Sequence, residues 1–395
     1  MTQGWRRLSP AIGLGLLAVA ALGAQGRVLQ PGDPLPGLTP SQFEEFTLGL
    51  DDFLEVETAE EGLGPAFNGT SCASCHSVPA VGGTSPVAEV RAGRRAADGS
   101  FEAVAPEGES LFHLFSVPGH ACQPVIPAEA TIVARRVPIP VFGAGLVEAI
   151  EDETLLALAR EQAASGTGVH GRPAIVTDRA TGARRVGRFG WKAQHATLLA
   201  FSADAYRNEM GITNDLFPTE LAVGIDDARM RLCDPIPDPE DLRDPLTRRR
   251  GIDNFASFMR LLAPVARAQS DDAARAGEDV FARVGCAQCH VPSLTTGPAD
   301  DPQLSRQPVP LFSDLLLHDV GTGDGIGQAD AGPDEIRTPA LWGLRFRRPL
   351  LHDGSAPTIE EAVLRHGGEA TLARRRFGAL GSGDQRALLV FLGTL

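Results

Sequence analysis

The chain has 395 residues, of which 43% are hydrophobic and 22% are charged. This length is enough for two domains with buried cores, and the composition excludes a disordered, collagenous or coiled-coil protein. The formal net charge of −14 at pH 7 argues against nucleic acid as a partner, because phosphate backbones bind basic surfaces. With 44 glycines and 30 prolines, the chain is expected to be rich in loops.

The N-terminal segment has the pattern of a secretory signal peptide. Arg6 and Arg7 precede an apolar stretch at residues 11–22. The sequence Ala-Leu-Gly-Ala at residues 21–24 offers small residues for cleavage at the end of this stretch. The alternative is an N-terminal membrane anchor, but the apolar stretch is shorter than the roughly 20 residues that a spanning helix needs. We therefore predict that residues 1–24 are cleaved on export to the periplasm, which leaves a soluble protein with no membrane insertion.

Apolar spacing predicts several helices along the chain. The first opens with a capping box at Ser41 and Glu44. Its apolar side carries Phe43, Phe46, Leu50 and Phe53. Residues 77–145 show no sustained periodicity and are expected to form loops. Further helices are expected at residues 151–164, 192–208, 253–263, 271–284 and 384–395, with a short strand pair near residues 174–176 and 185–188.

Four of the six cysteines fall in two copies of the motif C-x-x-C-H, the attachment site of haem c. The two sulfurs bond to the porphyrin, and the histidine binds the iron. A redox cysteine pair or half of a zinc site is the alternative for one copy, but two copies in an exported chain favour two covalently bound haems. The predicted attachment and ligand residues are Cys72, Cys75 and His76 for the first haem and Cys286, Cys289 and His290 for the second.

Cys122 and Cys233 stand outside these motifs. In an oxidising compartment they can form a disulfide that closes a long loop and thereby constrains the unfolded chain. We expect this disulfide, and the alternative is two separate buried thiols.

The sixth ligand of each iron separates electron transfer from chemistry. No methionine follows residue 264, so the second haem lacks the usual methionine ligand within its own segment. His366 ends a short amphipathic helix and is expected to bind that iron, the alternative being a solvent-facing helix cap. His318 and His352 are interpreted as structural. The first haem has three candidate distal ligands, His113, His120 and His195, or an open site.

These patterns predict a mainly α fold with two cytochrome-c-like haem domains, long loops and little β structure. A helix that leads into the second C-x-x-C-H motif and a helix at the C-terminus are the frame of a small cytochrome c domain. We therefore place the N-terminal haem domain at residues 38–264 and the C-terminal cytochrome c domain at residues 265–395.

Further motifs lie outside the haem-attachment sites. The clearest are Arg-Thr-Pro-Ala-Leu-Trp-Gly at residues 337–343 and Leu-His-Asp-Gly at residues 351–354, and others occur at residues 142–150, 187–194, 358–362 and 366–370. Together they resemble the di-haem oxidoreductase branch of the bacterial di-haem cytochrome c peroxidase superfamily, whose members are labelled peroxidases or thiol oxidoreductases. The resemblance covers residues 40–395, and the branch is poorly specific for substrate.

The resemblance implies roles for individual residues. Trp191 matches a tryptophan that lies between the two haems, and Glu209 matches in part a glutamate above the peroxidatic iron, although the usual preceding proline is missing. The implied role of Glu209 is general acid/base in O–O cleavage. Without the resemblance, Trp191 would be interpreted as a core aromatic and Glu209 as a surface carboxylate. The superfamily also holds calcium, and Thr338 and Pro339 match that motif, but Arg-Val-Pro at residues 136–138 replaces its asparagine.

We therefore predict a periplasmic di-haem c-type oxidoreductase that reduces peroxide or a related oxidant. A small donor protein, such as a cytochrome or a cupredoxin, would supply electrons to the second haem, and Trp191 would couple it to the first. One alternative is a di-haem electron carrier with no catalytic turnover and both irons closed by histidines. Another is oxidation of a side chain in a partner protein, as in related enzymes that mature a quinone cofactor.

Overall fold

The structure, a computed structural model, describes residues 28–105, 108–118, 122–234 and 236–395. The predicted signal peptide and the candidate ligand His120 lie outside these residues. Within the described part of the chain, no helix combines the length and the apolar character needed to cross a membrane.

Ten α-helices and twelve short strands lie in the described residues. The helices are α1 (Pro40–Leu54), α2 (Ala144–Glu148), α3 (Asp152–Ala164), α4 (Leu198–Met210), α5 (Asp227–Cys233), α6 (Gly251–Leu261), α7 (Asp272–Val284), α8 (Ile359–Arg365), α9 (Thr371–Gly378) and α10 (Ser382–Leu392). The strands are β1 (Ala66–Phe67), β2 (Glu89–Arg95), β3 (Phe101–Ala103), β4 (Leu111–Phe112), β5 (Phe115–Ser116), β6 (Ile132–Arg136), β7 (Ile175–Thr177), β8 (Arg184–Val186), β9 (Leu294–Thr295), β10 (Pro308–Val309), β11 (Leu317–His318) and β12 (Ile336–Arg337). Helices outweigh strands, as predicted.

One sheet was not predicted from the sequence. Strand β2 pairs antiparallel with β3, β4 and β6, all within the segment that we expected to form loops. Burial along β2 does not alternate from residue to residue, so the strand has no period-two signal. The strand pair expected near residues 174–176 and 185–188 is confirmed, since β7 and β8 pair with Ile175 opposite Val186.

Helices α1 and α6 pack closely beside the first C-x-x-C-H motif. The ring of Phe258 on α6 lies 4.8 Å from that of Phe53 and 5.3 Å from that of Phe46, centroid to centroid. A side chain at Gly49 would collide with the backbone of α6, so glycine is required at this approach. The expected N-terminus of α1 was wrong by two residues, because Thr39 is the capping residue and pairs with Gln42. Phe43, expected on the apolar side, is 54% exposed.

Helices α7 and α10 form the corresponding pair around the second motif. The side chain of Asp271 accepts a hydrogen bond from the backbone N–H of Ala274 and begins α7, close to the predicted start. Gly277 approaches the backbone of α10, and the rings of Phe281 and Phe391 lie 5.3 Å apart. This packing supports a small hydrophobic core at the C-terminal end of the chain.

The two hydrophobic cores bear on the proposed division into domains. The smaller core draws its buried residues from position 280 onwards. The larger one is built mainly from residues before 265, but it also buries Leu294, Leu311, Leu316 and Trp342. The boundary at residue 265 therefore stays a prediction. The helix expected at residues 192–208 begins later, at Leu198, because Thr197 caps it.

Candidate functional site

The first C-x-x-C-H motif lies on the wall of a cavity of about 220 Å³. A short 3-10 turn at Cys72–Ser74, capped by the hydroxyl of Ser71, presents both thiols to this cavity. Burial raises the pKa of the Cys72 and Cys75 thiols to about 12, so both sulfurs stay protonated at neutral pH. The wall of this cavity as a whole is mainly apolar, which suits a large hydrophobic ligand.

His76 is held in a single orientation at the same cavity. Its Nδ1–H donates a hydrogen bond to the carbonyl oxygen of Gly83 at 2.9 Å, and its ring lies 6.2 Å from that of Phe53. Burial lowers the pKa of this imidazole, which keeps it neutral. Because Nδ1 carries the proton, the lone pair of Nε2 is available to a metal.

The second motif repeats this arrangement at a cavity of about 190 Å³. Cys286 and Cys289 line it, and the Nδ1–H of His290 donates to the carbonyl oxygen of Phe312 at 3.1 Å. Burial lowers the pKa of His290 to about 4 and raises that of Cys286 to about 12. Both motifs therefore present two thiols and a bare Nε2 to a cavity.

His366 faces His290 across the second cavity. The two rings lie 6.5 Å apart, centroid to centroid, with an interplanar angle of 60°. The Nδ1–H of His366 donates to the carbonyl oxygen of Ala362 at 2.7 Å, and burial lowers its pKa. The structure thus brings together at the second cavity two neutral imidazoles whose protons lie on Nδ1, so Nε2 of each ring is the nitrogen available to a metal.

The two other histidines near this cavity have different surroundings. Asp314 and Glu369 each hold a ring nitrogen of His318 at 2.9 Å. Burial alone would lower the pKa of His318, but hydrogen bonds to Asp314, Cys289 and Glu369 outweigh it and raise the pKa to about 12. Both ring nitrogens of His318 therefore donate hydrogen bonds to carboxylates, and neither has a lone pair available to a metal. His352 lies in the cavity wall, where its ring meets the indole of Trp191 edge to face at 6.1 Å.

Trp191 lies on the wall of both cavities. Its indole N–H donates to the carbonyl oxygen of Val137 at 2.8 Å, and the residue is only 6% exposed. Arg337 lines both cavities as well, and its backbone N–H donates to the carbonyl oxygen of Trp191. Trp191 therefore belongs to the wall that the two cavities share, and its place between two haems stays a prediction.

Glu209 lies in the first cavity wall because the loop before Cys72 docks on the end of α4. The backbone N–H groups of Gly64 and Asn68 donate to the carbonyl oxygens of Met210 and Glu209 at 2.9 and 2.7 Å. The amide of Asn68 also donates to Oε2 of Glu209 at 2.9 Å. Glu209 is half-buried and lines the cavity, so it is not a fully exposed surface carboxylate, contrary to its interpretation without the resemblance.

A second carboxyl group, Glu89 on β2, contacts Glu209. Burial and the neighbouring charge of Glu89 raise the pKa of Glu209 to about 8. Burial would also raise the pKa of Glu89, but the guanidinium of Arg91, 2.6 Å away, holds it below its usual range. The opposite directions of the two pKa shifts favour a protonated Glu209 beside an ionised Glu89. Neither Glu89 nor Arg91 was predicted, since the strand that carries them has no sequence signal.

Two of the candidate distal histidines of the first haem, His113 and His195, do not line its cavity. The Nε2–H of His113 donates to the carbonyl oxygen of Asn208 at 2.7 Å, and His195 pairs with Asp204 at 3.0 Å. Among the described residues, His76 is the only histidine on this wall. Two thioethers that we had not assigned, those of Met210 and Met259, also belong to it.

Two features bear on the remaining expectations. Cys122 and Cys233 form a disulfide with their Cα atoms 6.0 Å apart, which confirms that pairing.

The calcium motif stays a prediction. Thr338 and Pro339 line the second cavity. Arg136, in the segment that replaces the asparagine of the motif, forms a buried ion pair with Asp324 at 2.7 Å.

The second cavity also holds cationic groups suited to an anionic ligand. Arg337 and Arg347 are buried in its wall, and burial lowers the pKa of each to about 10. Within the described part of the chain, neither guanidinium forms an ion pair, and both donate only to backbone carbonyl oxygens. Apolar walls, paired thiols, free imidazole nitrogens and unpaired guanidinium groups together fit a haem with its carboxylate side chains.

The fold and the two repeated sites define a protein that holds two redox cofactors. The family model "Di-haem oxidoreductase, putative peroxidase" matches residues 118–395. The chain therefore belongs to the di-haem oxidoreductase family, whose members hold two haem groups. No curated protein matches it in sequence.

Solved structures give weaker likenesses. Hydrazine synthase of Kuenenia stuttgartiensis is 15% identical, with 99% of this chain and 100% of that chain covered and a TM-score of 0.43. The diheme peroxidase BthA from Burkholderia thailandensis is 15% identical, with 93% and 87% covered and a TM-score of 0.41. The family assignment rests on the family model alone.

Proposed function

We propose that the protein is a periplasmic di-haem c-type oxidoreductase that reduces hydrogen peroxide or a related oxidant. Electrons would come from a small donor protein, a cytochrome or a cupredoxin. Cys72 and Cys75 would hold the first haem through thioether bonds, and Cys286 and Cys289 the second. A haem in each cavity would supply an iron that exchanges single electrons.

The observation that carries this proposal is the carboxyl pair on the first cavity wall. Reduction of hydrogen peroxide to two water molecules takes two electrons and two protons. The raised pKa of Glu209 favours its protonated form, and the carboxyl lines the cavity, where Asn68 orients it, so it would be able to donate a proton to an oxygen atom of peroxide. Glu89 and Arg91 hold the pair in this protonation state.

The residues around the second cavity suit electron entry. His290 and His366 would both hold the iron of the second haem, which would then supply electron transfer and not substrate chemistry. Trp191, shared by both walls, would carry electrons from this site to the first. In this proposal the haem at the N-terminal motif would reduce the oxidant, and the haem at the C-terminal motif would accept electrons from the donor protein.

The test uses the haem-loaded protein. We expect the electron paramagnetic resonance spectrum of the ferric or half-reduced protein to show a high-spin signal that peroxide removes. Peroxide-dependent oxidation of a reduced small cytochrome should fall by about 10²-fold or more in Glu209→Gln, the usual contribution of a general acid. Glu44→Gln, a change at an exposed residue of α1, is the matched control and should keep full activity.

The opposite outcome is equally specific. Two low-spin signals that peroxide leaves unchanged, in both the oxidised and the half-reduced protein, would mean that neither iron is open. The protein would then be a di-haem electron carrier, and Glu209→Gln would leave its electron transfer as fast as in the control.

A further inference from the structure

Four carboxylates converge beside the disulfide, and none of them lines either of the two cavities. One oxygen each from Glu220, Asp234, Asp238 and Glu240 lies within 4.8 Å of all the others. Asp234 directly follows Cys233, whose disulfide ties it to Cys122. The cluster is built from two segments of the chain, one with Glu220 and the other at residues 234–240.

Two of the carboxylate oxygens in this cluster have no partner. Oε1 of Glu220 and Oε1 of Glu240 are shielded from solvent and accept no hydrogen bond. Burial and then the charge of Glu240 raise the pKa of Glu220 well above its usual range, and burial raises that of Glu240 to about 8. None of the ion pairs between described residues involves these four side chains. Burying several negative charges close together without a cation costs free energy, because the charges repel each other and lose their hydration. A bound cation would offset this cost.

Other contacts orient the carboxylates. Thr213, just beyond α4, places its Oγ1 2.8 Å from Oδ1 of Asp238, and its backbone N–H donates to Oε2 of Glu240 at 2.7 Å. These contacts use Oδ1 of Asp238 and Oε2 of Glu240, and Oε1 of Glu240 accepts no hydrogen bond. Asp238 and Glu240 are therefore held in place by Thr213.

We propose that Glu220, Asp234, Asp238 and Glu240 bind a calcium ion. Calcium takes oxygen ligands at about 2.3–2.6 Å, so ligands on opposite sides of the ion lie roughly 4.6–5.2 Å apart, which matches the cluster. Magnesium has shorter bonds and a stricter octahedral geometry, and it usually keeps several waters. The site is distinct from Thr338 and Pro339, and it stands independently of the haem chemistry.

The expected consequence is local stabilisation. A bound ion would tie the segment after the disulfide to the turn that follows α4, the helix whose C-terminal end carries Glu209. The ion therefore has a structural role, and its removal should loosen this region without removing any haem ligand.

The test is a calcium titration of the haem-loaded protein after treatment with a chelator and its removal. Isothermal titration calorimetry with CaCl₂ should show one ion per chain, with a Kd between about 10⁻⁷ and 10⁻³ M and weaker binding of MgCl₂. Calcium should also raise the thermal midpoint. Glu220→Gln and Asp238→Asn should each weaken binding at least tenfold, while Asp272→Asn, at an exposed position on α7, should bind as the wild type does.

Two results would overturn the proposal. The first is no binding of calcium by the wild type, in which case the cluster is a set of protonated carboxyls and Glu220→Gln would change stability equally with and without calcium. The second is unchanged binding in the double variant Glu220→Gln/Asp238→Asn, which would place the ion elsewhere. Far-ultraviolet circular dichroism and the haem absorption spectrum establish that each variant is folded, and the wild-type titration tests the proposal without any variant.

Discussion

The backbone N–H of Arg337 donates to the carbonyl oxygen of Trp191 at 2.8 Å, and the side chains of both residues line both cavities. This hydrogen bond joins β12 to the turn before α4, two segments that are far apart in the sequence. The wall between the two candidate haem sites is therefore held together by the backbone, and the indole of Trp191 is fixed within it.

Loss of the indole ring is expected to slow electron transfer between the haems. In Trp191→Leu, reduction of the first haem after rapid reduction of the second should be several-fold slower than in the wild type, measured by stopped-flow absorbance. Trp342→Leu is the control, because Trp342 is equally buried but lines only the first cavity. Equal slowing in both variants would point to general loosening of the core and against a specific role for Trp191.

Replacement of His366 is expected to change the second haem alone. His366→Ala should convert one low-spin ferric signal to high spin, because His290 would keep the iron without a partner on the other side. His366→Met should raise the midpoint potential of that haem, since methionine favours the reduced iron more than histidine does. His352→Asn is the control in the same cavity wall, and loss of the low-spin signal there instead would assign the ligand to His352.

Peroxide reduction is expected to fall as the pH rises through about 8. Glu209 is protonated below that pH, and a deprotonated carboxylate can no longer act as the acid. The same raised pKa predicts that stability falls between the pKa of an unfolded glutamate and about pH 8, because only the folded state retains the proton there. The measurements are a pH profile of turnover and unfolding by denaturant at several pH values.

Glu89→Gln tests the origin of that pH dependence. Removal of the neighbouring negative charge, with Arg91 left in place, should lower the pKa of Glu209 and move the loss of activity to a lower pH. Glu102→Gln, on the neighbouring strand β3 and exposed, should leave the profile unchanged. A profile in Glu89→Gln identical to that of the wild type would mean that the two carboxyls do not interact.

Gly277→Ala is expected to destabilise the C-terminal core. A Cβ at this position would collide with the carbonyl oxygen of Ala387, so α7 and α10 would have to separate, at a cost of about 1–3 kcal/mol. Gly383→Ala on α10 meets nothing within 4 Å and should be neutral or stabilising by up to about 1 kcal/mol. Unfolding by denaturant, followed by the haem absorption of the second site, measures both.

Local patterns in the sequence were enough to locate several parts of the site. The two C-x-x-C-H motifs span five residues each, so their chemistry is readable without any knowledge of the fold. Short-range signals also located α7 and the strand pair β7–β8. These signals placed the N-terminal cap of α1 incorrectly, at Ser41. Thr39 is the capping residue, because Gln42 completes a capping box with it.

The sequence by itself determined where two haems are expected to attach and which histidine follows each cysteine pair, because covalent attachment needs only neighbouring residues. The tertiary structure decided what surrounds them. Glu209 meets Glu89 only because β2 and the end of α4 pack on one cavity, and burial there raises its pKa. In the same way, Trp191 reaches two cavities, and His113 and His195 turn away from the first, because contacts between distant segments set the direction of each side chain.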